Sequence, residues 1–180
     1  MTELSWYASQ RESYRPDRVR VLLVGEAAPD PGDGERRFFY APFLHQYDNL
    51  FRGVIDAFYG CSPGHAGDLK TPWLERLTSD GVYLIDLVPF PVDNLSSDKA
   101  EAQRLRRSAR RDHVDACIAE AITVDPAGII ICHNGVYEAT ARKMRAAGLP
   151  VLHDDSIPFP LYAGRKVFPG KVRAALARLV

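Results

Sequence analysis

A chain of 180 residues with 46% hydrophobic and 26% charged side chains has enough apolar material for one domain with a full core. Lys and Arg together number 23, as do Asp and Glu. The resulting zero net charge excludes a global pull toward polyanions or membranes and leaves any nucleic-acid site to local clustering. Cys61, Cys117 and Cys132 stand without CxxC or Cys/His spacing. That pattern argues against a disulfide framework or a zinc site and suits a reducing, cytoplasmic compartment, with Cys117 and Cys132 read as buried structural thiols. No stretch has the length of a signal-peptide core or a membrane span.

Residues 1–17 read as a polar lead-in with a short helix around Trp6 and Tyr7. The run from Val19 to Val24 is aliphatic without alternation, as in a strand buried on both faces, and Gly25 ends it. A long loop from Ala27 to about Asn49 follows, holding Pro29, Pro31, Gly32, Gly34, Pro42 and the aromatic triplet Phe38, Phe39 and Tyr40. Leu50, Phe51, Val54, Ile55, Phe58 and Tyr59 then fall on one helical face, stopped by Gly60.

Thr71-Pro72 reads as an N-cap and first helical position, opening a helix through Trp73, Leu74 and Leu77. The second strand covers Val82–Val88, and Pro89 and Pro91 end it. Ser97 or Asp98 caps a long helix over about 99–123, whose inward face carries Leu105, Ala109, Ala116, Cys117 and Ile122. A third strand at 128–132, a helix over about 136–147, a short fourth strand at 151–153 and a last helix over about 170–179 complete the chain. Strands alternating with helices predict an α/β fold, a single domain with a parallel sheet and helices on both of its faces.

Parallel sheets place ligands at the carboxyl ends of their strands. Glu26, Asp86, and His133 with Asn134 converge there. Glu26 is either a general base, with a pKa raised by apolar walls, or a solvated loop carboxylate or helix cap. Asp86, set among apolar neighbours in YLIDLV, needs a partner or a task. Phe38, Phe39 and Tyr40 either stack on a flat ring or fasten the loop to the core. His133 and Asn134 offer ligand contacts, and Asn134 also suits a helix N-cap. His45 and His65 lack partners at metal spacing.

The run Arg104, Arg106, Arg107, Arg110 and Arg111 either tracks phosphates or forms a solvated, paired face. Arg165 and Lys166 make a second basic spot before a helix expected to start at Pro169-Gly170. Neither a P-loop nor a GxGxxG turn is present, which disfavours nucleoside-triphosphate and dinucleotide enzymes.

The ordered series VLLVGEAAP, FFY, LFRGVIDAF, VYLIDLVPFP, DPAGIIICHNGVYEA and IPFPLYAGRKVF resembles the uracil-DNA glycosylase superfamily, nearest its GEAPG-type branch, over roughly residues 19–178. The resemblance implies a three-layer α/β/α fold around a four-stranded parallel sheet, with a flipped-out base held at the strand ends. It implies a hydrolase of base excision acting on DNA, single-stranded or damaged; the chain itself calls for no cofactor or metal, and its oligomeric state is left open, with a monomer expected.

On that footing Gly25 and Glu26 match the motif that positions or polarises water, with Glu26 and Asp86 as the catalytic pair. One ring of Phe38–Tyr40 stacks on the base, with Phe39 or Tyr40 favoured. Asp86 stands where the family reads the uracil edge with asparagine, and an ionised carboxylate there would repel the uracil oxygens. Phe159 stands before Pro160 where a histidine–proline motif falls. Ala27 occupies the place of an aspartate found in some branches, and the iron–sulfur cysteines of the GEAPG branch have no counterparts. Substrate contacts fall to Gly25, Phe39, Tyr40, His133, Asn134 and Phe159, and phosphate contacts to Arg165 and Lys166. A base-binding protein that keeps the fold without the chemistry is the alternative.

Overall fold

The first strand, β1 (Val21–Gly25), is buried at every residue. Its aliphatic run lacks alternation because both faces of the sheet are covered. The computed structural model describes residues 3–30 and 37–179; Pro31, Gly32 and Gly34 of the expected long loop lie outside the described residues. Around β1 the chain forms α1 (Glu3–Glu12), α2 (Asn49–Tyr59), α3 (Thr71–Ser79), β2 (Val82–Asp86), α4 (Lys99–Asp112), α5 (Val114–Val124), β3 (Gly128–Ile131), α6 (Asn134–Ala146) and α7 (Gly164–Leu176). The fold is mixed α/β, with a parallel three-stranded sheet in the order β2-β1-β3 among the described residues.

The expected fourth strand is reduced to one bridge, Val151 beside Ile129. Two ladder bonds form there, Ile129 N to the Pro150 carbonyl at 2.8 Å and Leu152 N to the Ile129 carbonyl at 2.9 Å. The next donor along β3, Ile131 N, goes to the His153 ring instead, at 2.9 Å from Nε2. A side chain takes the place of a ladder carbonyl, and pairing stops. At the other edge of the sheet the Tyr40 hydroxyl accepts from Leu84 N at 2.7 Å and donates to the Leu84 carbonyl at 3.3 Å. It thereby covers backbone groups that an edge strand leaves unpaired.

The helix expected over 99–123 is two helices, broken at His113. Asp98 caps the first, accepting from Glu101 N at 2.7 Å. The break moves the buried face of the second to Val114, Cys117 and Ala121. Ala116 and Ile122, expected inward, are exposed.

The last helix starts earlier than its Pro-Gly pair predicts. Pro169 lies inside α7, within its second turn, where a missing N–H removes a single backbone bond. Thr71 is the first residue of α3, after Lys70 at the cap position. His133 caps α6, its Nδ1 accepting from Gly135 N at 3.0 Å, so Asn134 is helical.

Helices α2 and α7 pack together, and α4, α5 and α6 form a second group. Gly53 lets the first pair close: a Cβ there would lie 2.9 Å from the Phe168 ring. The register pairs Gly25 with Asp86 across β1 and β2, which brings the strand ends and the residues after them to one edge.

Candidate functional site

A cleft of about 450 Å³ opens at that edge. Its walls are aromatic (Phe38, Phe39, Phe51 and Phe159), and Glu26, Asp86, Asp93, Arg106 and His133 supply its polar groups. The Phe38–Phe39 wall is held from below by Lys70. That side chain is fully buried, and its Nζ donates to the Phe38 carbonyl at 2.8 Å and the Phe39 carbonyl at 3.2 Å, and meets Asp48 Oδ2 at 2.8 Å. Burial lowers the Lys70 pKa, and the Asp48 carboxylate opposes that shift. Phe39 and Phe51 meet edge to face with centroids 5.3 Å apart, a geometry suited to a rigid wall.

Glu26 is surrounded by two guanidinium groups and an imidazole. Arg106 grips both carboxylate oxygens, with its Nε 2.7 Å from Oε1. Arg110 Nε lies 2.5 Å from the same Oε1, and His133 Nε2 lies 3.7 Å from Oε2. Arg106 and Arg110 reach it together because their i,i+4 spacing sets them on one face of α4. Gly135 leaves Arg110 its path: a Cβ there would stand 2.2 Å from the Arg110 guanidinium.

The raised pKa expected of Glu26 is not found. Burial does push its carboxyl up, but the Arg106 hydrogen bonds and the charges of Arg106, His133 and Arg110 hold it below the usual carboxylate value. Glu26 is a clamped anion, and both of its oxygens are occupied.

Asp86 is its opposite. The side chain is partly accessible, lines the cleft, and makes no hydrogen bond or ion pair with any described residue. Burial pushes its carboxyl up to about 7; Arg11 opposes the shift, and Glu120 and Glu26 add to it. Gly25 across the ladder is required for its placement, since a Cβ there would lie 2.6 Å from Asp86 Oδ1. Two neighbouring acids whose environments drive their pKa values apart form the pattern of an acid–base site.

His133 lines the cleft with its ring 6.1 Å from that of Phe159. Burial lowers its pKa, and the neighbouring arginines outweigh part of the help from Glu26, so the imidazole is neutral near neutrality. Accepting at Nδ1 from Gly135 N assigns its proton to Nε2, the nitrogen nearer Glu26.

Of the residues expected at the site, Glu26, Asp86, Phe39, His133 and Phe159 line the cleft, and Gly25 sits behind Asp86. Tyr40 does not: its ring is buried and its hydroxyl serves the β2 edge. Asn134 is exposed at the start of α6. Arg165 and Lys166 are exposed and do not line the cleft. Arg165 lines a second hollow with Arg52 and donates to Asn49 Oδ1 at 2.7 Å, and Asn49 borders both hollows.

The expected phosphate-tracking arginines divide. Arg106 and Arg110 turn inward to Glu26, Arg104 pairs with Glu101, and Arg107 and Arg111 are exposed. The spacing of Arg106 and Arg110 is visible in the sequence, whereas nothing local marks Lys70 or Asp48. Among the described residues no three His, Cys, Asp or Glu side chains gather as a metal ion would require.

No family model, curated protein or solved structure matches this chain.

Proposed function

We propose that the cleft holds a nucleobase turned out of DNA, and that the chain is a glycosylase-type hydrolase of the uracil-DNA glycosylase kind. Its reaction is hydrolysis of the N-glycosidic bond of uracil or another deaminated or modified base, on a three-layer α/β/α fold. The observation that carries this reading is the unpartnered Asp86 carboxyl between aromatic walls, in a cleft at the carboxyl ends of a parallel sheet. Aromatic walls favour a flat ring, and a carboxyl lining the same cleft offers hydrogen bonds to that ring's edge.

In this mechanism the C1′–N bond breaks with its electron pair passing to the base, leaving an oxocarbenium-like sugar. Asp86, protonated in part near neutrality, gives its proton to the departing base. Water adds to C1′ and returns a proton to Asp86, which closes the cycle. Glu26 acts by holding Arg106 and Arg110 in place at the cleft. Arg165 and Lys166, with Arg52 in the adjoining hollow, take the flanking phosphates.

One observation favours a second reading, a base-binding protein without the chemistry. Phe159 is apolar where the resemblance places a histidine, and both oxygens of Glu26 are committed to arginines.

The test is incubation with labelled oligonucleotides carrying uracil, hypoxanthine or xanthine, followed by alkaline cleavage of abasic sites. Cleavage is expected with the wild type and should fall at least about a hundredfold in Asp86→Ala. Intact strands with every substrate would overturn the hydrolase, and retention of the same oligonucleotides at low salt would then support the binder.

A further inference from the structure

The two oxygens of a carboxyl say different things to a ligand according to charge. Ionised, they are two acceptors; neutral, they are one donor and one acceptor side by side. A neutral carboxyl therefore matches a lactam edge, in which a ring carbonyl stands next to a ring N–H, through two parallel hydrogen bonds. An ionised carboxyl repels the carbonyl of the same edge.

The surroundings of Asp86 decide between these forms. The cleft it lines is also walled by Phe38, Phe39, Leu84 and Val92, and the buried Tyr40 phenol lies within electrostatic reach of it. Glu26 follows the strand beside it, and α5 adds Glu120 and Cys117. From α1 the one cation acting on it is Arg11, which is tied to Glu120 at 3.2 Å. Asp93, Arg106 and His133 line the same cleft, with Arg106 engaged by Glu26 and His133 uncharged near neutrality. The cations nearby thus belong to other carboxylates, and no described side chain donates to Asp86.

We propose that Asp86 recognises the lactam edge of its base as a neutral carboxylic acid, so that the cleft selects lactam-bearing rings and releases them as the carboxyl ionises. This inference rests on the base-binding reading of the cleft. The shift of the Asp86 carboxyl to about 7 places the transition near neutrality.

The test is calorimetric titration of the whole protein with hypoxanthine and with 1-methylhypoxanthine, whose ring N–H is blocked, between about pH 6 and about pH 8.5. The affinity for hypoxanthine is expected to fall about tenfold for each pH unit above 7, with proton uptake on binding. The methylated ring should bind at least about tenfold more weakly at about pH 6. Asp86→Asn carries the same donor and acceptor at all pH values. It should bind hypoxanthine about thirtyfold more tightly than wild type at about pH 8.5, and Asp86→Leu should not bind at any pH. Wild-type affinity that is flat or rises with pH, or a methylated ring that binds equally well, overturns the neutral-acid reader while leaving the base site standing. Absence of any binding to wild type at about pH 6 overturns the base site, and this inference with it.

Discussion

The ends of β1 and β2 are neighbours in register and carry one acid each, yet the two acids behave as opposites. Glu26 has two guanidinium groups and an imidazole around it; Asp86 has none in contact among the described residues. The apolar surroundings that raise both carboxyls are overruled at Glu26 by α4, which is brought back from 80 residues further along the chain. The position of a carboxylate at a strand end therefore does not decide whether it is a base, an acid or an anchor. The helix packed over it does.

The largest effect expected from breaking this contrast is at Glu26. Replacing Glu26 by Ala strands Arg106 and Arg110 in a half-buried site, with Arg110 only 15% exposed, and should cost about 3 kcal/mol in urea unfolding at neutral pH. A loss under about 1 kcal/mol would show that the arginines find water readily and that the clamp is not structural. Because Glu26 is held below its usual value of 4.5, the stability it contributes is present above that pH and is lost as pH falls.

Asp86 should slope the other way. Its carboxyl rises from an ordinary 3.8 to about 7, so its contribution is complete below 3.8 and is lost as pH climbs to 7. Asp86→Asn should therefore be more stable than wild type by about 2 kcal/mol near pH 8, with the gap closing toward about pH 4. Equal stabilities at both ends of that range would break the contrast between the two acids.

The end of β3 supplies a third case and the smallest effect. There His153 accepts from Ile131 N and bonds through Nδ1 to the Asp155 carbonyl at 2.8 Å. Burial is the main cause of its lowered pKa, with help from Arg145 and Lys171. The neutral ring thus stabilises the fold above the ordinary 6.5, and that stability is lost as pH falls toward the lower folded value. His153→Leu should cost about 1 kcal/mol near pH 8 and remove that acid-side slope in thermal unfolding.

Much of this was legible before any coordinates. Apolar runs without alternation mark β1, β2 and β3 because strands covered on both faces need none, and the 3.6-residue period of Phe51, Val54 and Ile55 marks α2. The convergence of Glu26, Asp86 and His133 on one sheet edge follows from parallel topology alone. The buried thiols Cys117 and Cys132 were also readable, and burial pushes both to about 12. The break at His113 and the early start of α7 were not readable, because helix period survives a one-residue break and an interior proline reads locally as a helix start. The fourth strand fails for a reason outside backbone propensity, the capture of Ile131 N by an imidazole.

Local pattern and chain direction were enough for three of the four expected strands, the edge they share and the residue types gathered there. What each of those residues does depends on its neighbours in space. Arg106 and Arg110 pair with Glu26 and not with Asp86, Tyr40 serves an edge strand and not a ligand, and Lys70 holds the aromatic wall. Charge and hydrogen bonding act over a few ångströms of space, and sequence separation does not report that distance.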